Sequence, residues 1–426
     1  MEHATPLIDT IVAGLGFAFL FALIARRLRL PLIAGYLAAG MAVGPFTPGF
    51  VADQALATEL AELGVILLMF GVGLHFSLKD LMSVRALAVP GAIGQIVVAT
   101  LAGMGLGWLL GWSWGAGLVF GLCLSVASTV VLLRALQERH LVETDRGRIA
   151  VGWLIVEDLV MVLSLVLIPS LADLLGGVAT EVHATDTATE IATEIASGLG
   201  AEMGSGSGIW VILLWTLLKA GLFVTFMLVV GQRLIPWILH RTSQMHSREL
   251  FRLTVLAVTL GVAYGATKLF GVSFALGAFF AGLVMATSEF SQRAAQETLP
   301  LRDAFAVLFF VSVGMLFDYR VLVEAPLAIF GTLLVIVLVK SAAAYVIVRL
   351  GGHDRATALT ISASLAQIGE FSFILVTLGI SLAILPDMAR DLVVAGAILS
   401  IVLNPFLFLV LDWYMGKAGT EDATSG

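Results

Sequence analysis

Polar residues interrupt this chain seldom and at long intervals. Reading the apolar stretches against those interruptions gives thirteen runs. Six lie in the first half, at 7–25, 32–43, 60–74, 86–110, 115–136 and 149–169, and a lone run follows at 209–230. The second half supplies 250–266, 272–287, 304–317, 327–350, 356–385 and 392–413. A helix crossing the hydrocarbon core of a bilayer needs about 20 apolar residues. The pattern therefore predicts an all-α polytopic membrane protein of about 13 transmembrane helices. Residues 1–10 hold no Lys or Arg ahead of the first run, unlike a secretory signal, so that run is expected to remain as a span.

Composition agrees with the pattern. The 426 residues are 59% hydrophobic and 12% charged, with a mean hydropathy of +1.03, whereas a soluble chain carries about 25% charged residues. Orientation follows from the basic residues, because short cytoplasmic loops collect Lys and Arg. With the N-terminus outside and the C-terminus cytoplasmic, only Lys268, Arg320 and Arg390 face outward, and Lys219 and Lys340 fall within runs. The other eighteen of the 23 Lys and Arg lie inside. The break from 176 to 208 then lies outside; it holds five acids and no Lys or Arg and reads as a solvated loop without a site.

Two runs are broken in the middle. In the fifth, GLCLSVAST at 121–129 places Ser125, Ser128 and Thr129 inside an apolar helix. In the twelfth, SASLAQIGE at 362–370 places hydroxyls, Gln367, Gly369 and Glu370 at comparable depth. Backbone freed from helical bonding at such depth must face protein or a water-filled cavity. The fifth and twelfth spans enter from opposite sides, and each is fifth in its half. This is the trace of two inverted repeats whose discontinuous helices cross near the midplane and present helix ends to an ion. The expected division is 1–170 for the first repeat, 171–208 for the extracytoplasmic polar loop and 209–231 for a connector span. The second repeat is 232–414, and 415–426 is a polar cytoplasmic tail. The alternative for each break alone is that Ser and Thr bond back to the preceding turn.

Charges at the midplane need partners or a purpose. Glu157 and Asp158 sit almost at the centre of the sixth run, projecting about 100° apart around the helix. A buried carboxyl holds either a proton or a cation, and exchange of the two requires that competition. Lys340, midway through the eleventh run, is the expected counter-charge, either as a fixed structural salt bridge or as one that opens during transport. Glu370 is left with three roles: coordinating, titrating or capping the broken helix. Lys219 reads as a snorkelling or helix-pairing lysine. His75, His240 and His246 lack metal-ligand spacing on one helix, so no transition-metal site is expected. The single Cys123 allows no intrachain disulfide. No phosphate-binding glycine loop is present. No enzyme activity, cofactor or nucleic-acid partner is expected, and the driving force should be an ion gradient.

With those residues the chain resembles the membrane domain of the cation:proton antiporter-2 family, nearest the Kef-type potassium/proton antiporters. The resemblance rests on LLMFGVGL at 67–74, SVASTVVL at 125–132, the Glu157-Asp158 centre, FALGAFFAG at 274–282, FFVSVGM at 309–315 and QIGEF at 367–371. It implies thirteen spans, a homodimer in a bacterial inner membrane and an elevator-like motion. It further implies that Asp158 is the ion- and proton-binding aspartate, Glu157 its neighbour and Lys340 their charge-balancing partner. Ser125, Ser128, Thr129, Gln367 and Glu370 would be polar groups of the unwound segments. Family members usually continue into a cytoplasmic nucleotide-binding domain, so regulation is expected from a separate domain or subunit. The function expected is exchange of a monovalent cation, K+, for H+. Many relatives place Gln or a second Asp before the aspartate, and Glu157 keeps electrogenic Na+/H+ exchange as the alternative. A ligand-gated potassium channel is more remote, since no repeated filter loop appears.

Overall fold

The computed structural model describes residues 6–28, 30, 32–48, 52–75, 78–137, 139–142, 144–177 and 218–424. Most of the acidic outer loop and the start of the connector run lie outside them, as do the first five and last two residues.

Helices make up the described chain, without a strand. In order they are α1 Pro6–Arg27, α2 Leu32–Val43, α3 Gln54–His75, α4 Leu78–Leu109, α5 Trp114–Ser125, α6 Thr129–Gln137 and α7 Asp145–Ser170. There follow α8 Leu218–Ser243, α9 Arg248–Phe270, α10 Phe274–Ala286, α11 Ser291–Met315 and the short α12 Val321–Glu324. The last are α13 Pro326–Leu350, α14 Arg355–Leu365, α15 Glu370–Ser381 and α16 Asp387–Thr424. Among the described residues nine helices are long and apolar enough to cross a membrane singly; α14 and α15 form one further span bent by 45°, and α2, α5 and α10 are shorter apolar helices. Eleven of the thirteen runs fall on one of these elements, the seventh from residue 218 onward, and the fifth and twelfth fall on the broken pairs α5–α6 and α14–α15. Some helices outlast their runs: α11 begins at Ser291 instead of 304, because a polar first turn is still helix. Glu297 in that extension accepts hydrogen bonds from Arg248 at 3.1 Å and Arg252 at 2.6 Å.

Local chemistry sets the helix ends. Gly271, at φ 65°, closes α9 in the left-handed conformation that glycine adopts without strain. Two residues later Ser273 accepts from the Leu276 N–H at 3.3 Å and caps α10. Asp354 does the same for α14 through the Thr357 N–H at 3.1 Å. The hydrogen bonds from Thr357 hold the Asp354 carboxyl below its usual range.

The chain packs as two compact units. One comprises residues 1–54, 77–161 and 310–426, the other 55–76 and 162–309. These packing units are a different division from the sequence repeats. In the first, glycines bring backbones together: a Cβ on Gly40 would strike the Val311 carbonyl oxygen, and one on Gly314 the Leu37 carbonyl oxygen. In the second, Gly73 meets the Phe279 carbonyl and Gly282 the Phe70 carbonyl, so α3 and α10 interlock reciprocally. The LLMFGVGL, FALGAFFAG and FFVSVGM stretches thus earn a physical reading. Their small residues permit close helix approach, which drives packing where lipid supplies no hydrophobic gain.

Candidate functional site

All the site residues lie in the first unit, where α5–α6 and α14–α15 are broken. Each break leaves orphaned backbone groups, and buried polar groups need partners. At the first break Val126 is extended, with φ −104° and ψ 135°, and ends α5. Gln95 of α4 donates to the Ser125 carbonyl at 2.8 Å. The Ala127 N–H donates to Glu157 Oε2 at 2.8 Å, and the Ser128 N–H to Gln367 Oε1 at 2.9 Å. Ser128 also caps α6, its hydroxyl accepting from the Val131 N–H at 3.4 Å.

The second break receives donors from three directions. Ser341 donates to the Ser362 carbonyl at 3.1 Å, Asn404 to the Ala363 carbonyl at 2.8 Å and Gln367 Nε2 to the Ser364 carbonyl at 3.3 Å. Lys340 Nζ donates to the Gln367 carbonyl at 2.8 Å. The two breaks join at Gln367, whose Nε2 also donates to the Ser128 carbonyl at 3.1 Å. One side-chain amide therefore pairs with both backbone groups of Ser128, as a neighbouring strand would.

The acids gather at this crossing. Thr129 donates to Asp158 Oδ2 at 3.3 Å, and the Ser128 hydroxyl to Glu370 Oε2 at 3.2 Å. Glu157 and Lys340 are 0% exposed, Glu370 3% and Asp158 5%. The macrodipoles suit the arrangement: the Glu157 carboxylate, carried on α7, meets the backbone just ahead of α6 and Glu370 opens α15, where the dipole end is positive, while the Lys340 ammonium, carried on α13, meets the backbone just past α14, where it is negative. Below them Trp153, Leu132, Leu154, Ala344, Ile361 and Leu365 form one buried cluster that ties α6, α7, α13 and α14 together.

Residues 15–410 match the model of the family described as sodium/hydrogen exchanger, transmembrane. The chain belongs to that family. The exchanger is 59% identical over 422 residues to the candidate cation/proton antiporter YbaL of Escherichia coli K12, covering 99% of this chain and 71% of that protein. It is 30% identical to K(+) efflux antiporter 4 of Arabidopsis thaliana, over 93% of this chain and 64% of the plant protein. Its fold matches the sodium proton antiporter MjNhaP1 of Methanocaldococcus jannaschii with a TM-score of 0.68 at 17% identity, covering 95% of this chain and 97% of that one.

Sequence and structure part company in two places. Ser125 does not aim its hydroxyl at the site; the hydroxyl donates to the Leu122 carbonyl at 2.8 Å, the local back-bond open to any helical serine. The Lys340 ammonium makes no ion pair within 4 Å among the described residues, because a carbonyl freed by the second break takes it first, although Glu157 remains the carboxylate acting on its charge. Lys340 also follows a π-helical turn at Val335–Val339, its own N–H reaching back to the Val335 carbonyl, and such turns recur at functional sites. Lys219 lies in the second unit, its ammonium beside the Gly271 turn. No group of three His, Cys, Asp or Glu among the described residues is placed to hold a metal ion.

Gly369 is where the breaks touch most closely. A Cβ there would lie 2.6 Å from Ser128 Cα and collide with Ser128 Cβ, and neither atom is at the end of a flexible side chain. Overpacking of this kind costs about 1–3 kcal/mol. Gly369→Ala is expected to cut cation-driven proton flux at least tenfold in proteoliposomes, with flux per purified protein as the measurement, while Gly105→Ala, in open space on α4 and in ordinary helical backbone, leaves it unchanged.

Proposed function

We propose that the exchanger swaps K+ for H+ across a bacterial inner membrane by alternating access, with Asp158 binding cation and proton in turn. One observation carries this reading: at the crossing, Asp158 Oδ1 and Glu157 Oε1 are buried and accept no hydrogen bond from the described residues. A carboxylate oxygen removed from water needs a proton or a cation. Glu157 spends its other oxygen on the Ala127 N–H and so also shapes the break. Asp158 spends its own on a single hydroxyl and is the freer of the two to exchange its occupant. Ser128, Thr129 and Gln367 surround the acids with neutral oxygens, Glu370 stands at the start of α15, and Lys340 balances charge.

Support for K+ comes from the Arabidopsis relatives, whose names assign them K+ efflux. In this reading the N-terminus lies outside, which the distribution of Lys and Arg supports, and the working form is a homodimer. Sealed vesicles preloaded with K+ or Na+ should take up H+ through this protein as the internal cation leaves down its gradient. The expected outcome is exchange driven by K+ in preference to Na+, with no net current on a solid-supported membrane. A Na+ preference accompanied by current would instead favour electrogenic sodium exchange, since each moved charge couples to the potential by about 2.3 kcal/mol per 100 mV.

A further inference from the structure

The 86–110 run reads as featureless apolar helix, yet Gln95 within it is 0% exposed and hydrogen-bonded through both polar atoms. Its Nε2 donates to the Ser125 carbonyl at 2.8 Å and its Oε1 accepts from Trp153 Nε1 at 3.2 Å. The amide can sit only this way round, because an indole N–H only donates and a carbonyl only accepts. The indole is itself seated: a Cβ on Gly91, one turn before Gln95 on the same helix, would strike its ring.

Trp153 and Glu157 are four residues apart on α7 and share a face. Helix α7 therefore holds the first break at two points. Glu157 takes the Ala127 N–H directly, with a group that belongs to the ion site. Trp153 takes the Ser125 carbonyl through Gln95, with groups that carry no charge in any state.

We propose that Gln95 is a positioning residue for ion binding. Locked by Trp153, its amide fixes the end of α5, and with it the extended segment from which Ser128 and Thr129 meet the carboxylates, whatever occupies Glu157 and Asp158. This inference rests on the exchange reading above. Without the amide the Ser125 carbonyl loses its donor and the break drifts, so the cation meets a looser set of oxygens. The cycle of a site once loaded is unchanged.

The test is KM against kcat for cation-driven proton flux in proteoliposomes. Gln95→Met keeps the length and apolar bulk of the side chain and removes the donor; Trp153→Phe keeps a ring against Gly91 and removes the N–H. Each should raise the cation KM about three- to tenfold, the size of one buried hydrogen bond lost, with kcat within about twofold. A purely structural role would lower the fraction of active protein, and so the apparent kcat, and leave KM alone. If Gln95→Met cannot be recovered folded, Gln95→Leu, which also lacks the donor, is measured in its place. A wild-type KM in either purified variant overturns the proposal. Absence of cation-driven flux in the wild type would instead overturn the exchange reading before any variant is measured.

Discussion

Asp158→Asn is expected to abolish cation/proton exchange while leaving the protein folded. The two effects separate because they rest on different atoms. Asn retains an oxygen to accept the 3.3 Å hydrogen bond from Thr129, so the folded state loses at most one modest interaction, about 1 kcal/mol. The transport cycle loses the proton acceptor and the negative charge together. Two unit charges 4 Å apart at an effective dielectric of 20 attract by about 4 kcal/mol, close to three decades of affinity. Flux should therefore fall beyond detection in proteoliposomes while the melting temperature in detergent moves by only a few degrees. Retention of normal exchange by Asp158→Asn would remove the aspartate from the mechanism.

The sequence revealed features that cost free energy wherever they stand in an apolar helix, and overlooked those that did not. Thirteen runs were legible because lipid demands apolar surface, and over the described residues each falls on a helix or on one of the broken pairs α5–α6 and α14–α15. The pairing of Ser128 with Gln367 spans 239 residues, yet both partners were candidates because each interrupts a span at midplane depth. Gln95 carried the same signal in weaker form, as a lone amide in an apolar run that had to find partners. What remained hidden was the choice among acceptors. A sequence displays charged side chains but not the carbonyls that a break sets free, so Lys340 was expected on a carboxylate and its contact is with the Gln367 carbonyl. The π-helical turn before it reads VIVLV, five apolar residues without Gly or Pro, and composition gives no hint of it.

Lys340→Met should show the second large effect and separate the two tasks of that lysine. The side chain is wholly buried, and the substitution strips the 2.8 Å donor from the Gln367 carbonyl and leaves the charge of Glu157 without its counterpart. An orphaned buried acceptor costs about 1–3 kcal/mol, and the lost attraction between Lys340 and Glu157, which stand beyond ion-pair distance, adds to it. A clear drop in melting temperature is therefore expected together with loss of flux. Adding Glu157→Gln removes the unbalanced carboxylate while its amide oxygen still accepts from the Ala127 N–H. The double variant should then recover the charge-dependent part of the lost stability but not the part that belongs to the Gln367 carbonyl. If stability does not return, the lysine serves the broken helix rather than the acids. Flux in the double variant answers the remaining question: stability regained without exchange would place the ammonium in the transport cycle, and stability regained with exchange would make it a structural tie between α13 and the second break.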